Sequence, residues 1–249
     1  LLRKKVNSLL IPCFLYYLPV IIYNIYYYLY HKDIGIIQCF ENSAIPTALW
    51  FLISLFEIHI IGFFILKIKN PHFQILISIL LSIIGYTMSV FHIPSLAYIN
   101  TSLSCFIYYY AGFRWNKYIK SNNKEISVQT LHSLSFLVIC VFAYYIDQPY
   151  IFYRNNVFNA NYFSVSLCGF SGTFFIISIS KIIKKSSILS FYGKNSLIIL
   201  CTHLYIIKIL QYFHLSPLLL FLLTSIIAIP ISSLIRKHLP ILSGNKAII

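Results

Sequence analysis

The chain has 249 residues, 59% of them hydrophobic and only 10% charged, with a mean hydropathy of +0.81. That balance excludes an ordinary soluble domain. A formal charge of +14 would point to nucleic acid in a soluble protein, but here the basic residues cluster in loops at the ends of apolar runs, so no nucleic-acid partner is expected.

Apolar runs of about 18 to 22 residues recur from end to end, the length an α-helix needs to cross a bilayer. Eight helices are predicted, at residues 9–30, 46–66, 73–93, 96–113, 128–146, 161–182, 195–213 and 217–235. The expected fold class is all-α, a polytopic integral membrane helix bundle of about 8 transmembrane helices. A single domain over residues 1–249 is expected. With a cytoplasmic start, only Lys32 and Arg154 lie in outer loops and Lys208 in the seventh helix, leaving 16 of the 19 Lys and Arg residues inside. The positive-inside rule then places both termini in the cytoplasm.

The chain opens Leu1-Leu2-Arg3-Lys4-Lys5 without a methionine, and its one methionine is Met88, deep in an apolar run. The natural start is therefore expected upstream, and no signal peptide is argued. Tyr26, Tyr27, Tyr28 and Tyr30 close the first helix, and Tyr108, Tyr109 and Tyr110 approach the end of the fourth. Both clusters are expected to anchor helices at headgroup level. On the second helix Trp50, Ser54 and Glu57 share a face while His59 points nearly the opposite way. A carboxyl at mid-membrane must be protonated, paired or hydrogen-bonded, which makes Glu57 either an interhelical partner or a functional group. In the sixth helix Ser164, Cys168 and Gly172 repeat at spacing four, a pattern that lets a neighbouring helix approach closely.

The stretch from Phe191 to Ile207 is the most informative. A basic, glycine-containing loop, Gly193-Lys194-Asn195-Ser196, runs into an apolar helix with His203 near its middle. An ionisable side chain at bilayer depth is costly, so His203 is read as a site residue. Ser196 shares its face, with Asn195 and Thr202 beside it. His59 and His132 are read as interior packing, and Lys208 as a snorkelling cation. Cys13, Cys105, Cys140, Cys168 and Cys201 lie in apolar runs, Cys39 lies in a loop, and there is no Cys-x-x-Cys pair. Zinc and redox readings therefore fail, and no metal site is expected.

Several motifs in order resemble one family. They are Arg3-Lys4-Lys5 leading to Leu10-Ile11-Pro12, Leu49-Trp50-Phe51-Leu52 with Glu57, Tyr110-Ala111-Gly112-Phe113 before a basic loop, Gly193-Lys194-Asn195-Ser196 with His203, and the closing Leu239-Pro240-Ile241-Leu242-Ser243-Gly244. Together they resemble the membrane acyltransferase family 3, and more narrowly its fucose 4-O-acetylase-like branch. The resemblance implies an O-acyltransferase of a bacterial inner (cytoplasmic) membrane. Such an enzyme moves an acyl group, usually acetyl, from cytoplasmic acyl-CoA to a sugar hydroxyl of a surface polysaccharide or its lipid-linked precursor. Acyl-CoA is a co-substrate, and no bound cofactor is implied. The family is typically ten-helical, and its first helix carries an essential arginine and histidine. The chain is therefore expected to be N-terminally truncated, lacking that helix and the next.

On this resemblance His203 and Glu57 are the catalytic candidates, Arg3, Lys4 and Lys5 the acyl-CoA contacts, and Trp50, Asn195 and Ser196 the acceptor contacts. Acyl transfer to an alcohol needs a base for the hydroxyl proton and donors for the oxyanion, and histidine suits the first task near neutral pH. The alternatives are a polysaccharide polymerase, a lipid-linked sugar flippase or an inactive truncated subunit. A polymerase would want several basic residues in a large outer loop, and the longest such segment, Asp147 to Ala160, carries only Arg154. A transporter would want paired broken helices in two related halves, and no such repeat is present.

Overall fold

The computed structural model describes residues 2–30, 48–93, 97–121, 126–148, 151–152, 154, 156–183 and 185–244. Lys32, Cys39, Lys124, Lys184 and Lys246 lie outside the described residues, as do the predicted starts of the second and fourth helices. Each of the eight predicted helices falls on an observed one. The first is α-helical at Leu2–Lys5, π-helical over Val6–Leu10 and α-helical again over Ile11–Tyr30. Widening of the turn just ahead of Pro12 has a direct cause, since that proline has no N–H to give Ser8 and its ring crowds the Ser8 carbonyl.

The next helices are Trp50–Ile65, Pro71–Val90, Ile99–Ser121, Ile126–Asp147, Tyr162–Ile183, Ser196–Leu210 and Pro217–His238. Two of them begin with a capping residue followed by proline: Asn70 accepts the His72 N–H, and Ser216 accepts the Leu219 N–H. Ile99–Ser121 runs well past the predicted end at residue 113. Beyond Gly112 neither Gly nor Pro interrupts the chain up to Ser121, so helix formation continues through Arg114 and Trp115. Two elements were not expected, a short helix at Ser187–Lys194 and a hairpin pairing Ile151–Phe152 with Val157–Phe158.

By length and composition, five described helices can cross a membrane: Arg3–Tyr30, Pro71–Val90, Tyr162–Ile183, Ser196–Phe213 and Pro217–His238. Trp50–Ile65 and Leu131–Asp147 are apolar but shorter. Burial is inverted relative to a soluble protein. Ser78, Ser82, Ser102, Ser104, Asn24 and Asn156 are at most 1% exposed. On the Leu131–Asp147 stretch, Leu131, Leu134, Val138, Phe142 and Tyr145 form an exposed apolar stripe at helical spacing. Polar side chains packed inward and large apolar ones turned outward suit a hydrocarbon surround.

The chain divides into two compact units, Leu1–Phe56 with Ser187–Ile249, and Glu57–Ser186. In the first, Leu9, Cys13, Tyr16, Leu49, Leu52 and Cys201 form the core, with Leu197, Leu200 and Leu242 packed around it. The closing turn is docked there through Gly244, whose φ is +69°. A side chain at that position would lie 2.7 Å from the Ser8 carbonyl oxygen and 3.1 Å from Leu197. In the second unit Ile58, Ile65, Phe106 and Tyr110 form the core.

There the Ser82 hydroxyl donates to the Leu103 carbonyl and accepts from the Ile107 N–H. Gly85 closes onto the backbone N of Ser104. Asn156, beside the hairpin, donates to the Gly85 carbonyl at 2.8 Å and accepts from the Ser104 hydroxyl at 2.9 Å. The expected close packing around Cys168 is present. Cys140 Sγ lies 3.6 Å from Cys168 Sγ and within 3.4 Å of where a Gly172 side chain would begin.

Tyr108 to Tyr110 differ from the headgroup anchors expected. Tyr110 is buried, with its hydroxyl donating to Gln74; Tyr109 meets His59 edge-on at 5.2 Å; and Tyr108 abuts Gly169. Their helix continues beyond them, so the cluster sits inside the packed region and not at its end.

Asn156 has φ +51°, a conformation asparagine adopts at less cost than alanine. Asn156→Ala is expected to lower stability by about 1–3 kcal/mol, through a lost buried partner and backbone strain. Thermal unfolding in detergent checks this, and an unchanged midpoint would show that these bonds do not hold the hairpin.

Candidate active site

The site residues expected from sequence are gathered in the first unit, with one exception. The loop expected before His203 is instead the helix Ser187–Lys194, closed by Asn195. Both the backbone N–H and the side-chain amide of Asn195 donate to the Phe191 carbonyl, at 3.1 and 2.9 Å. The Asn195 carbonyl accepts the Ile199 N–H at 3.0 Å, and the next helix begins. One buried residue thus ends one helix and starts the next. Its Oδ1 is buried without a hydrogen-bond partner.

From Asn195 the chain climbs about 12 Å over eight residues to His203. Ser196, Ile199, Leu200, His203 and Ile207 form one stripe of that helix. Facing them are Pro217, Leu220, Phe221, Thr224, Ser225 and Ala228 of the last helix, with Tyr192 at one end. Between the two stripes lies an open groove of about 790 Å³. Its walls are mostly apolar. The polar groups along it are the Ser196 and Ser225 hydroxyls, His203, the Tyr192 hydroxyl, which donates to the Ser225 carbonyl at 3.0 Å, and Thr224, whose buried hydroxyl has no partner.

His203 is half-buried, and its Nδ1 lies 2.9 Å from the Ile199 carbonyl one turn earlier. A carbonyl only accepts, so the ring proton is assigned to Nδ1, and Nε2 of the neutral ring keeps its lone pair. No described residue bonds Nε2. The imidazole is therefore oriented by its own helix, with its basic nitrogen unclaimed in an apolar groove.

Arg3, Lys4 and Lys5 belong to the helical turn Leu2–Lys5, and the Arg3 carbonyl accepts from the Asn7 amide at 3.1 Å. Ser8 and Leu197 meet at Gly244, which brings this basic turn to the same end of the unit as Asn195 and Ser196. Trp50 is half-buried in the first turn of its helix, edge-on to Phe51, and does not line the groove. Glu57 is the exception noted above and belongs to the second unit. There its carboxyl accepts a 2.6 Å hydrogen bond from the Ser102 hydroxyl. His59 and His132 pack against aromatic rings, Tyr109 and Phe136. Among the described residues no three His, Cys, Asp or Glu side chains converge as metal ligands would.

Sequence reasoning passed over Tyr192, Thr224 and Ser225. The signal available was the spacing-four row Thr224, Ala228, Ser232, all three of which are buried, in a mostly apolar helix.

A family model described as an acyltransferase domain matches residues 1–237. No curated protein and no solved structure matches the chain.

If Glu57 serves as the acceptor for Ser102, Glu57→Gln keeps a carbonyl in place and is expected to leave stability within about 1 kcal/mol of the wild type. Glu57→Leu removes the carboxyl acceptor of a buried hydroxyl and is expected to cost about 1–3 kcal/mol. Thermal unfolding of the two variants in detergent compares them directly, and equal losses would remove the hydrogen bond as the reason for a carboxyl at this position.

Proposed function

Because the chain belongs to the acyltransferase-3 family of membrane acyltransferases, we propose that it transfers an acyl group, acetyl in the first instance, from cytoplasmic acyl-CoA to a sugar hydroxyl. The acceptor is a surface polysaccharide or its lipid-linked precursor, and the setting is a bacterial inner membrane with both chain ends in the cytoplasm. The observation that carries this reading is His203, held through Nδ1 in an apolar groove with Nε2 unclaimed.

In the reaction proposed, the acceptor hydroxyl attacks the thioester carbonyl as Nε2 takes its proton. The C–S bond then breaks, and the proton passes to the departing sulfur. The products are an O-acyl sugar and free CoA thiol. A general base of this kind contributes about 10² to 10⁴ in rate. The Thr224 hydroxyl, without an internal acceptor, is a donor available to the oxyanion. Ser196, on the groove wall, is proposed to contact the sugar. Arg3, Lys4 and Lys5 are proposed to draw the polyphosphate donor, which a basic turn attracts from the cytoplasm. Glu57, hydrogen-bonded to Ser102, is proposed to tie its own helix to Ile99–Ser121.

The test is transfer of labelled acetyl from acetyl-CoA to surface glycan in membranes carrying the protein, beside His203→Ala at matched membrane levels. Alkali-labile label on the glycan is expected, and a fall of about 10² or more in the variant. Label that survives His203→Ala would reduce the histidine to packing. No label on any native glycan from a well-inserted protein would favour a polysaccharide polymerase or a lipid-linked sugar flippase.

A further inference from the structure

Below the groove, at the Asn195 end, lies a second recess of about 360 Å³ with a different chemistry. Its walls are Lys194, Arg236, Asn195, Ser187, Ser190 and Ser233. Among the described residues it holds two cations and no carboxylate, and neither Lys194 nor Arg236 has an ion-pair partner. A positive recess without a counter-charge favours an anion. The Ser187 and Ser190 hydroxyls and a guanidinium suit the several oxygens of a phosphate in particular, while the Ser233 hydroxyl donates to the Ile229 carbonyl.

Two further observations point to a ligand. Asn195 precedes the helix Ser196–Leu210 without capping it, so the helix N-terminus receives no side-chain acceptor from that position. Asn195 itself is 2% exposed, and its Oδ1 is buried without a partner. An acceptor left unpaired in such a place costs stability unless a bound molecule supplies a donor, and since phosphate oxygens only accept, that donor must be a hydroxyl or amide N–H carried on the ligand beside its phosphate. Cations at helix ends as topology signals would account for Lys194 and Arg236, but not for this oxygen.

We infer that this recess is a phosphate-binding seat for an elongated ligand whose remainder extends along the His203 groove. The two cavities are continuous in sequence on both walls. Lys194 and Asn195 are followed by Ser196 and His203 on one side, and Arg236 and Ser233 are preceded by Ala228 and Thr224 on the other. The rise along the helix sets a ruler of about 12 Å from the seat to His203. A pantetheine arm, roughly four residues' worth of extended chain, covers about 13 Å. A sugar joined directly to a lipid phosphate holds its hydroxyls much closer to the phosphorus. The ruler therefore assigns the seat to the diphosphate of the acyl donor. That assignment rests on the transfer reading above, whereas the phosphate seat does not.

The experiment is equilibrium binding of labelled CoA to the full chain in an uncharged detergent, with pantetheine and a polyprenyl monophosphate as unlabelled competitors. Both cations are exposed side chains at helix ends, so Lys194→Gln and Arg236→Gln are expected to keep the wild-type unfolding midpoint. CoA is expected to bind more weakly as salt rises, and pantetheine, which lacks phosphate, to displace it poorly. Each variant is expected to lose about 10-fold in affinity, with Arg236→Lys recovering part of it. Binding of the polyprenyl phosphate with the same dependence on Lys194 and Arg236 would keep the seat and transfer it to the acceptor. CoA affinity that is unchanged in the double variant, or no binding of either phosphate ligand to the folded wild type, would overturn it. The binding readout needs no turnover, so a failed transfer assay leaves the seat standing, and a failed seat leaves the transfer reading standing.

Discussion

A polar group placed among apolar helices must find its partner within the protein, and much of this structure follows from that constraint. The backbone is satisfied by helix formation, and the side chains by short local bonds. Ser78, Thr202 and Ser171 each return a hydroxyl proton to a carbonyl one turn back. Where no local carbonyl serves, the bond crosses to another element. Ser102 reaches Glu57, Tyr110 reaches Gln74, and Tyr162 reaches the Ser104 carbonyl at 2.8 Å. Hydrophobic burial contributes little to holding such helices together when the surround is itself apolar, so small residues and polar contacts do more of the selecting. Gly85 against Ser104 and Gly62 against Tyr109 are the tightest examples between these helices.

Exceptions to that rule are therefore informative. Among the described residues the orphaned buried groups include Asn195 Oδ1, Thr224 Oγ1 and Ser232 Oγ. All three belong to the helices that enclose the groove and the basic recess. His203 follows the same logic at one nitrogen only, its Nδ1 satisfied locally and its Nε2 left over. Unmet hydrogen-bonding capacity bordering a groove suits a ligand site, because the missing partners arrive with the ligand; other orphans, Tyr16 and Asn24 among them, lie on other helices.

The helices were legible because each apolar run is long, and because proline after Asn70 and Ser216 marks where a helix begins. His203 was legible as an ionisable residue in an otherwise apolar run. The groove was not, since its second wall is contributed by a distant helix and its polar members, Thr224 and Ser225, are residues whose usual role is to bond their own backbone. Gly193-Lys194-Asn195-Ser196 reads as a loop because of its glycine and lysine, whereas the backbone closes the helix Ser187–Lys194 through Asn195 instead. The tyrosines at 108 to 110 were read from composition as interfacial. Their surroundings are set by Gly62 and Gly169, which open space for Tyr109 and Tyr108 from neighbouring helices, and such pairings are not written in local spacing.

The hydrogen bond from Nδ1 to the Ile199 carbonyl also limits the route a proton can take. An imidazole that receives a proton at one nitrogen and releases it from the other can pass charge from one side of a site to the other. With Nδ1 committed to its own helix, His203 cannot act as such a relay, and whatever Nε2 accepts must leave again from Nε2. Whatever gives that proton and whatever receives it must then approach the same edge of the ring in turn, from within a single open channel. Two molecules entering from opposite faces of a membrane would thus have to meet on one side of one side chain.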